Sequence, residues 1–563
     1  MNRFAIRAVA VILTLVVLAP SVRADSSHDV LAEKGVVVSV EANATDVGLA
    51  VLKRGGNAVD AAVATAFALA VTHPAAGNIG GGGFMMVKMA RCPEPVCVEY
   101  REIAPAAATP ETLSKLHDTS RGPLSVGVPG TVRGLALAHE QFGCRPWREL
   151  VEPAARLAEH GFAIDTHLAR SLNGWLRAAK DYDEVQRVFR KPDGSAWQPG
   201  DRLVQPDLAR TMRLIGECGP DAFYCGPIAD QIVAEMRAGG GLITENDLAA
   251  YRANLRRPIH GTYRGHDIYA PPPPSSGGIA LVEMLNILEH FDLAGQGRDS
   301  AATVHQITEA MRRAYFDRAM QVGDPAFNDV PIARLTSKAY ARDFAAEIST
   351  ATRATPSEQL GKDVLAPVEG ESTTHFSIVD SEGNAVANTY TLQDSYGSYV
   401  VVRGAGFLLN NEMTDFNLQP GITDRRGRIG TPPNVVAPHK RMLSSQTPTI
   451  VLRDGKVLLV TGTPGGRTII NTVLGVVTNV IDFKMPIREA VDAPRMHHQW
   501  MPDVLRIEPG RVSEETRREL EAIGHKIESI ARQGDAHSVW IDPATDLRHG
   551  AADRRLSGKA AGY

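Results

Sequence analysis

Cysteine is scarce: 563 residues carry five, Cys92, Cys97, Cys144, Cys218 and Cys225. Their spacings match no zinc-binding pattern, and none has a histidine nearby that would make it a thiol nucleophile. In an oxidising compartment the close pairs Cys92/Cys97 and Cys218/Cys225 are candidates for disulfides, which would leave Cys144 free. Charge imbalance is equally slight. The net charge is −4, and basic residues gather only in short groups such as Arg425, Arg426 and Arg428. That excludes nucleic acid as a main partner. The chain has no internal repeat, no low-complexity tract and no G-x-S-x-G elbow. Beyond the first residues, no apolar run is long enough to span a bilayer.

The glycine-rich run "GNIGGGGFMMVKM" also lacks the context of a dinucleotide site, which needs a strand before the glycines and a helix after them. Here a helical pattern precedes and a strand-like one follows. Gly80 to Gly83 instead permit close backbone approach or positive φ.

What is present is an ordinary globular composition, 44% apolar and 22% charged, in a chain long enough for one composite domain or two to three intimate ones. The first residues, "MNRFAIRAVAVILTLVVLAPSVRADSS", combine Arg3 and Arg7, an apolar run from Ala8 to Ala19 and a small-x-small site at Val22–Ala24. They read as a signal peptide over residues 1–24, with the mature chain beginning near Asp25 in the periplasm or outside the cell. An uncleaved anchor would need a longer run. No cysteine follows the apolar run, which argues against a lipoprotein.

"NAVDAAVATAFALAVTHP", Asn57 to Pro74, is a capped helix that is apolar on every face and therefore buried on every face. Helical patterns dominate from about 130 to 350, interrupted by "PPPPSSGGIA" at Pro271–Ala280, read as rigid and extended. A polar, proline-bearing stretch from Ser349 to Ser372 reads as an exposed loop. After it come β-rich segments, "TTHFSIVD", "AVANTYTL", "TPTIVLRD" and "KVLLVTGTP", with two more helical patterns. The fold class is α+β, with a mainly helical first part joined by that loop to a compact second part.

The loop runs into Thr373, at the head of a strand. A threonine hydroxyl is a poor nucleophile without a base beside it. Its own α-amine would serve, with a pKa of about 7.7–8.0, provided the chain is cut just before it. On this stretch alone, however, Thr373 and Thr374 read more simply as β-formers at a strand start.

Other segments carry a resemblance that changes the balance: "GNIGGGGF", "YREIAP", "GVPGT", "GLITENDLAAY", "PPPSSGGI", "TTHFSIVD", "GFLLNNEMTDF", "KRMLSSQTPTI", "GTPGG", "APRMHHQW" and the final "AGY". In this order they closely resemble the γ-glutamyltransferase (γ-glutamyl transpeptidase, glutathione hydrolase) family. The resemblance implies a four-layer αββα N-terminal-nucleophile sandwich, built jointly by two subunits of one precursor. Cleavage between Ser372 and Thr373 would give a large subunit of roughly Asp25–Ser372 and a small one, Thr373–Tyr563. Thr373 would attack the γ-glutamyl amide of glutathione or a related compound. Water, an amino acid or a peptide would then resolve the acyl-enzyme.

The same resemblance assigns roles. Thr391 would orient the nucleophile. Arg101 would grip the substrate α-carboxylate, for which a planar guanidinium is suited, and Ser444 and Ser445 would share that task. Glu412 and Asp415 would receive the α-ammonium. Gly465 and Gly466 would supply oxyanion donors. The family's usual Asn after the orienting threonine is here Gln393, which puts substrate preference in doubt. Residues Gln419 to Lys440 leave room for a lid. No cofactor or metal is implied; the His497–His498 pair lacks a third ligand at a sensible spacing. Alternatives are an acylase of the same superfamily acting on glutaryl-type side chains, a poly-γ-glutamate hydrolase, or an uncleaved, inactive binding protein. The first would not need the ammonium receivers, and the last would be expected to have altered Thr373 or the glycines.

Overall fold

The structure is a computed structural model that describes residues 28–117, 120–361, 372–418, 420–421 and 430–563, Ser372 by its backbone alone. The expected leader, most of the segment just before Ser372 and much of the expected lid lie outside the described residues.

Among the described residues, two seven-stranded antiparallel sheets face each other. One runs, edge to edge, Lys559–Gly562, Val36–Ser39, Ser372–Val379, Ala385–Gln393, Gly82–Lys88, Val96–Glu99 and Asn254–Arg256. The other runs Asp29–Ala32, Arg548–Ala552, His537–Ile541, Lys456–Thr461, Thr449–Arg453, His266–Ala270 and Ile259–Tyr263. Strand alternation sorts each side chain to one face. Val36, Val38, Phe84, Met86 and Ala387 of the first sheet meet Ile450, Leu452, Val460 and Val539 of the second in a core between the sheets. Their neighbours Val37, Met85, Val87 and Val386 face outward, under helices that include Ala58–Thr72. Val451 and Leu459 face outward on the other side, under Gly277–Leu288, Ala301–Gln321 and Thr468–Ile481. Both sheets are therefore covered on both faces, which is why so many strands read as continuous apolar runs. The result is an α+β sandwich of four layers, helix, sheet, sheet, helix.

Strands from before and after Ser372 interleave in the first sheet, so the two halves share one core. The helix Ala58–Thr72 is buried at all fifteen positions and starts from a capping box between Asn57 and Asp60. The proline-rich segment departs from expectation: Ser275 N–H closes a turn onto Pro272 O, and a helix begins at Gly277. The candidate disulfides are also corrected, since all five cysteines are free. Cys97 points into the core between the sheets, while Cys92, in the turn before that strand, packs on the helical side. Cys218 and Cys225 are exposed, as is Cys144. Among the described residues no helix is long and apolar enough to cross a membrane.

Candidate active site

Thr373 sits at the head of the strand Ser372–Val379, immediately after a register shift that separates it from Ser372. It is 8% exposed. Thr373 lies opposite Thr391 on the neighbouring strand, and the two Oγ1 atoms are 3.4 Å apart. Thr391 Oγ1 also accepts the Gln393 backbone N–H at 2.8 Å. Its carbonyl takes the side-chain amide of Asn78 at 2.9 Å. Asn78 Oδ1 in turn accepts Gly81 N–H and the Thr131 hydroxyl. The four-glycine run thus serves close approach, not positive φ: a Cβ on Gly81 would lie 2.0 Å from Thr391 O.

A buried charge cluster forms next to the end of this strand pair. Arg101 Nη1 is 2.7 Å from Glu412 Oε2 and 3.4 Å from Glu102 Oε2. Its Nη2 pairs with Asp415 Oδ2 and donates to Leu443 O at 3.1 Å. Gln393 Nε2 donates to the other oxygen of Asp415. A continuous chain therefore runs from Thr373 through Thr391, Gln393 and Asp415 to Arg101. Gln393 holds φ at +80°, an uncommon backbone for this residue type.

One guanidinium faces three carboxyl groups. Burial opposes the charge on Arg101, but Glu412, Asp415 and Glu102 outweigh it and hold the guanidinium above its ordinary range. Burial pushes Glu102 up to about 7 against the pull of Arg101. Burial also raises Glu412 well above the usual carboxylate range; Arg101 opposes this, and Glu102 and Asp415 add to it.

The Ser444–Ser445 segment is fixed from behind. Ser444 N–H donates to Pro274 O, and Ser444 O accepts both N–H and Oγ–H of Ser276, at 2.8 and 2.7 Å. Ser445 Oγ accepts Arg318 Nη2 at 2.9 Å. Gly465 and Gly466 adopt φ of +132° and +55°, conformations that favour glycine, just before the helix Thr468–Ile481. Among the described residues, neither glycine N–H is taken up by an acceptor.

Asn78, Glu102 and Arg318 were not singled out from the sequence. Asn78 and Glu102 lie within segments already notable, "GNIGGGGF" and "YREIAP"; Arg318 sits in a helical run that carried no signal. The His497 ring bonds to Asn471 and Gln499, and His498 to Asp503 and the Trp500 N–H. Among the described residues, His305, Glu309 and His525 bring ligand atoms within 4.8 Å of one another. The two imidazoles hydrogen-bond each other at 2.9 Å, and Glu309 is paired with Arg312 and Arg313, so this group satisfies itself.

The family model for gamma-glutamyltranspeptidase matches residues 44–563. The chain belongs to the gamma-glutamyltranspeptidase family. The glutathione hydrolase proenzyme of Escherichia coli (strain K12) is 46% identical over 552 residues, covering 96% of this chain and 94% of that protein. Among solved structures, a cephalosporin acylase from Bacillus halodurans superposes with a TM-score of 0.84 at 29% identity, over 98% of this chain and 99% of that one. The gamma-glutamyltranspeptidase of Helicobacter pylori matches at 41% identity with a TM-score of 0.55, over 57% of this chain and 93% of that chain. The sandwich is therefore that of the N-terminal-nucleophile hydrolases.

Proposed function

We propose that this member of the family is a self-processing γ-glutamyltransferase and glutathione hydrolase whose nucleophile is Thr373. The observation that carries the reading is the hydrogen-bonded chain from Thr373 to the buried cluster of Arg101, Glu412 and Asp415. It joins a candidate nucleophile to a zwitterion clamp.

Maturation begins when Thr373 Oγ1 attacks the Ser372 carbonyl. The peptide C–N bond breaks as the ester forms, freeing the α-amine of Thr373, and water hydrolyses the ester to release the Ser372 carboxylate and restore the Thr373 hydroxyl. A matched chain in Helicobacter pylori that covers 57% of this one but 93% of itself supports such a division. The free amine, with a pKa near neutrality, is the general base. It takes the hydroxyl proton as Oγ1 attacks the γ-carbonyl. Thr391, which holds Oγ1 by a hydrogen bond, keeps it in position. The oxyanion forms against the open N–H groups of Gly465 and Gly466. The amide bond then breaks and the leaving amine carries the proton away. Water resolves the ester to glutamate, and an acceptor amine resolves it to a new γ-glutamyl amide.

Recognition follows from charge. The donor's α-carboxylate pairs with Arg101, Ser444 and Ser445, and its α-ammonium with Glu412 and Asp415. In the structure Arg101 pairs with those same carboxylates, so the donor inserts between them and substitutes its two charges for theirs. An arriving ammonium would displace the proton from Glu412, whose carboxyl is held above its usual range by burial, and pair with it and with Asp415; a glutaryl side chain, which has no ammonium, would not. Export through the N-terminal leader would place the enzyme in the periplasm or outside the cell.

The test is a denaturing gel with N-terminal sequencing, alongside amine release from a γ-glutamyl anilide. Two bands, the smaller beginning Thr-Thr-His-Phe, together with release, are expected; Thr373→Ala is expected to give one uncut, inactive chain. Maturation and turnover by Thr373→Ala would overturn the mechanism.

A further inference from the structure

Arg318 lies in the helix Ala301–Gln321, 3% exposed, on the side of the sandwich opposite Arg101's sheet. Its Nε donates to Ser276 Oγ and its Nη2 to Ser445 Oγ, each at 2.9 Å. A guanidinium has five N–H donors and no acceptor. A hydroxyl that accepts from it must turn its own hydrogen toward another group. Ser276 displays the consequence: having accepted from Arg318, it donates to Ser444 O at 2.7 Å. One buried cation thus polarises two serines. Ser276 fixes the Ser444 carbonyl, and Ser445 has its O–H directed away from Arg318.

We propose that Arg318 is a positioning residue for recognition of the donor's α-carboxylate. It acts through Ser445, whose O–H it turns toward acceptors other than itself, and through Ser276, which locks the Ser444–Ser445 backbone. This rests on the reading of Ser444 and Ser445 as carboxylate binders. The donor carboxylate then meets two cations: Arg101 directly, and Arg318 relayed through a hydroxyl. A relayed, charge-assisted hydrogen bond is shorter-ranged than a direct ion pair but stronger than one from an unassisted serine. Arg318 is thereby assigned to binding, not to bond breaking.

The test uses mature enzyme, verified as two bands, in wild-type, Arg318→Gln, Arg318→Lys and Ser276→Ala forms. Two readouts are taken: KM and kcat for the γ-glutamyl anilide, and competitive inhibition by glutamate against 4-aminobutyrate, which keeps the ammonium and lacks the α-carboxylate. For Arg318→Gln the expected result is a KM raised about 10-fold with kcat changed less than about 3-fold. Glutamate inhibition weakens in parallel while 4-aminobutyrate inhibition is unchanged. Arg318→Lys keeps the charge without the fork and should fall between. Ser276→Ala, which leaves Arg318 in place, should shift glutamate inhibition by a few-fold and serves if Arg318→Gln does not mature. Equal weakening of both inhibitors, or a fall confined to kcat, would mean a merely structural role and overturn the proposal. Unchanged discrimination in every variant would overturn it as well. If wild-type enzyme itself fails to distinguish glutamate from 4-aminobutyrate, the carboxylate reading of the site falls, and this proposal with it.

Discussion

Arg101 Nη1 lies 2.7 Å from Glu412 Oε2, with the two side chains 1% and 0% exposed. Burying such a pair costs desolvation that the mutual attraction offsets only with good geometry and further hydrogen bonds. Arg101 has those further bonds, to Asp415 and to the carbonyls of Met442 and Leu443. Arg101 is thus held by these carboxylates, and on the proposed reading a zwitterionic donor would open the cluster by exchange. Asp415→Asn should therefore raise KM for a γ-glutamyl donor about 10- to 100-fold, the worth of one hydrogen bond to a charged group. Amine release from the anilide at varied donor concentration measures it. A KM that stays put would remove Asp415 from the binding site.

Proton uptake by the clamp gives a second outcome. Burial raises Glu102 to about 7 and raises Glu412 further in the same direction, both from an ordinary value of 4.5. Between those limits the folded state binds more protons than the unfolded chain. Stability from these groups is thus fully present at low pH and is lost as pH rises toward and through 7. Glu102→Gln, which imitates the protonated acid, should escape part of that loss. Its melting temperature relative to wild type should climb from pH 5 to pH 7 and level off above. Melting curves across that range decide it; a flat difference would place Glu102 outside the linkage.

The residues named for the site came from the family resemblance, and what the sequence did not show has a physical pattern. A polar loop running into Thr373 raised the idea of a nucleophile there, but only the family resemblance lifted it above an ordinary strand threonine, and only the resemblance pointed to Gly465 and Gly466, whose positive φ is seen in the structure. The four layers were implied by the family resemblance, while composition and periodicity alone reached only α+β. The interleaving of strands from both sides of Ser372 is a long-range pairing that periodicity does not report. Arg318 was invisible for a similar reason. A helical arginine is ordinarily solvated, and only the packing of Ala301–Gln321 against Ser276 and Ser445 gives it buried partners. The cysteine spacing misled because Cys92 lies in the turn before the strand Val96–Glu99 while Cys97 points into the core between the sheets.

Gln393 replaces the family's usual asparagine, and the structure gives the longer side chain a definite partner: its amide holds Asp415 against Arg101. Gln393→Asn shortens the reach by one methylene and should release Asp415. The donor then competes against one hydrogen bond to a carboxylate fewer, worth about 1.5–3 kcal/mol. KM should fall about 10- to 100-fold with kcat little changed. Asparagine also tolerates positive φ better than glutamine, so the variant should fold at least as stably. A rise in KM would mean that Gln393 touches the donor itself.

The glycine run makes the sharpest steric prediction. Gly81 packs so tightly that an added Cβ would lie 2.0 Å from Thr391 O and 2.8 Å from Asn78 Oδ1. Both atoms are fixed: Asn78 bonds to Thr391 O, to Gly81 N–H and to Thr131, and Gly81 O accepts the N–H groups of Gly130 and Thr131. Relief must come by moving the strand that carries Thr391 away from Gly81, which displaces Thr391 Oγ1 from Thr373. Gly81→Ala should cost about 1–3 kcal/mol or more by overpacking, and its maturation should slow by more than that stability loss explains. Gly475→Ala is the matched control. It lies inside the helix Thr468–Ile481 with open space around the added methyl, and alanine there should stabilise by up to about 1 kcal/mol. Pulse-labelled precursor followed on a gel gives the maturation rates of both. Should Gly81→Ala mature as fast as Gly475→Ala, the contact between the glycine run and Thr391 would have no bearing on how the nucleophile is held.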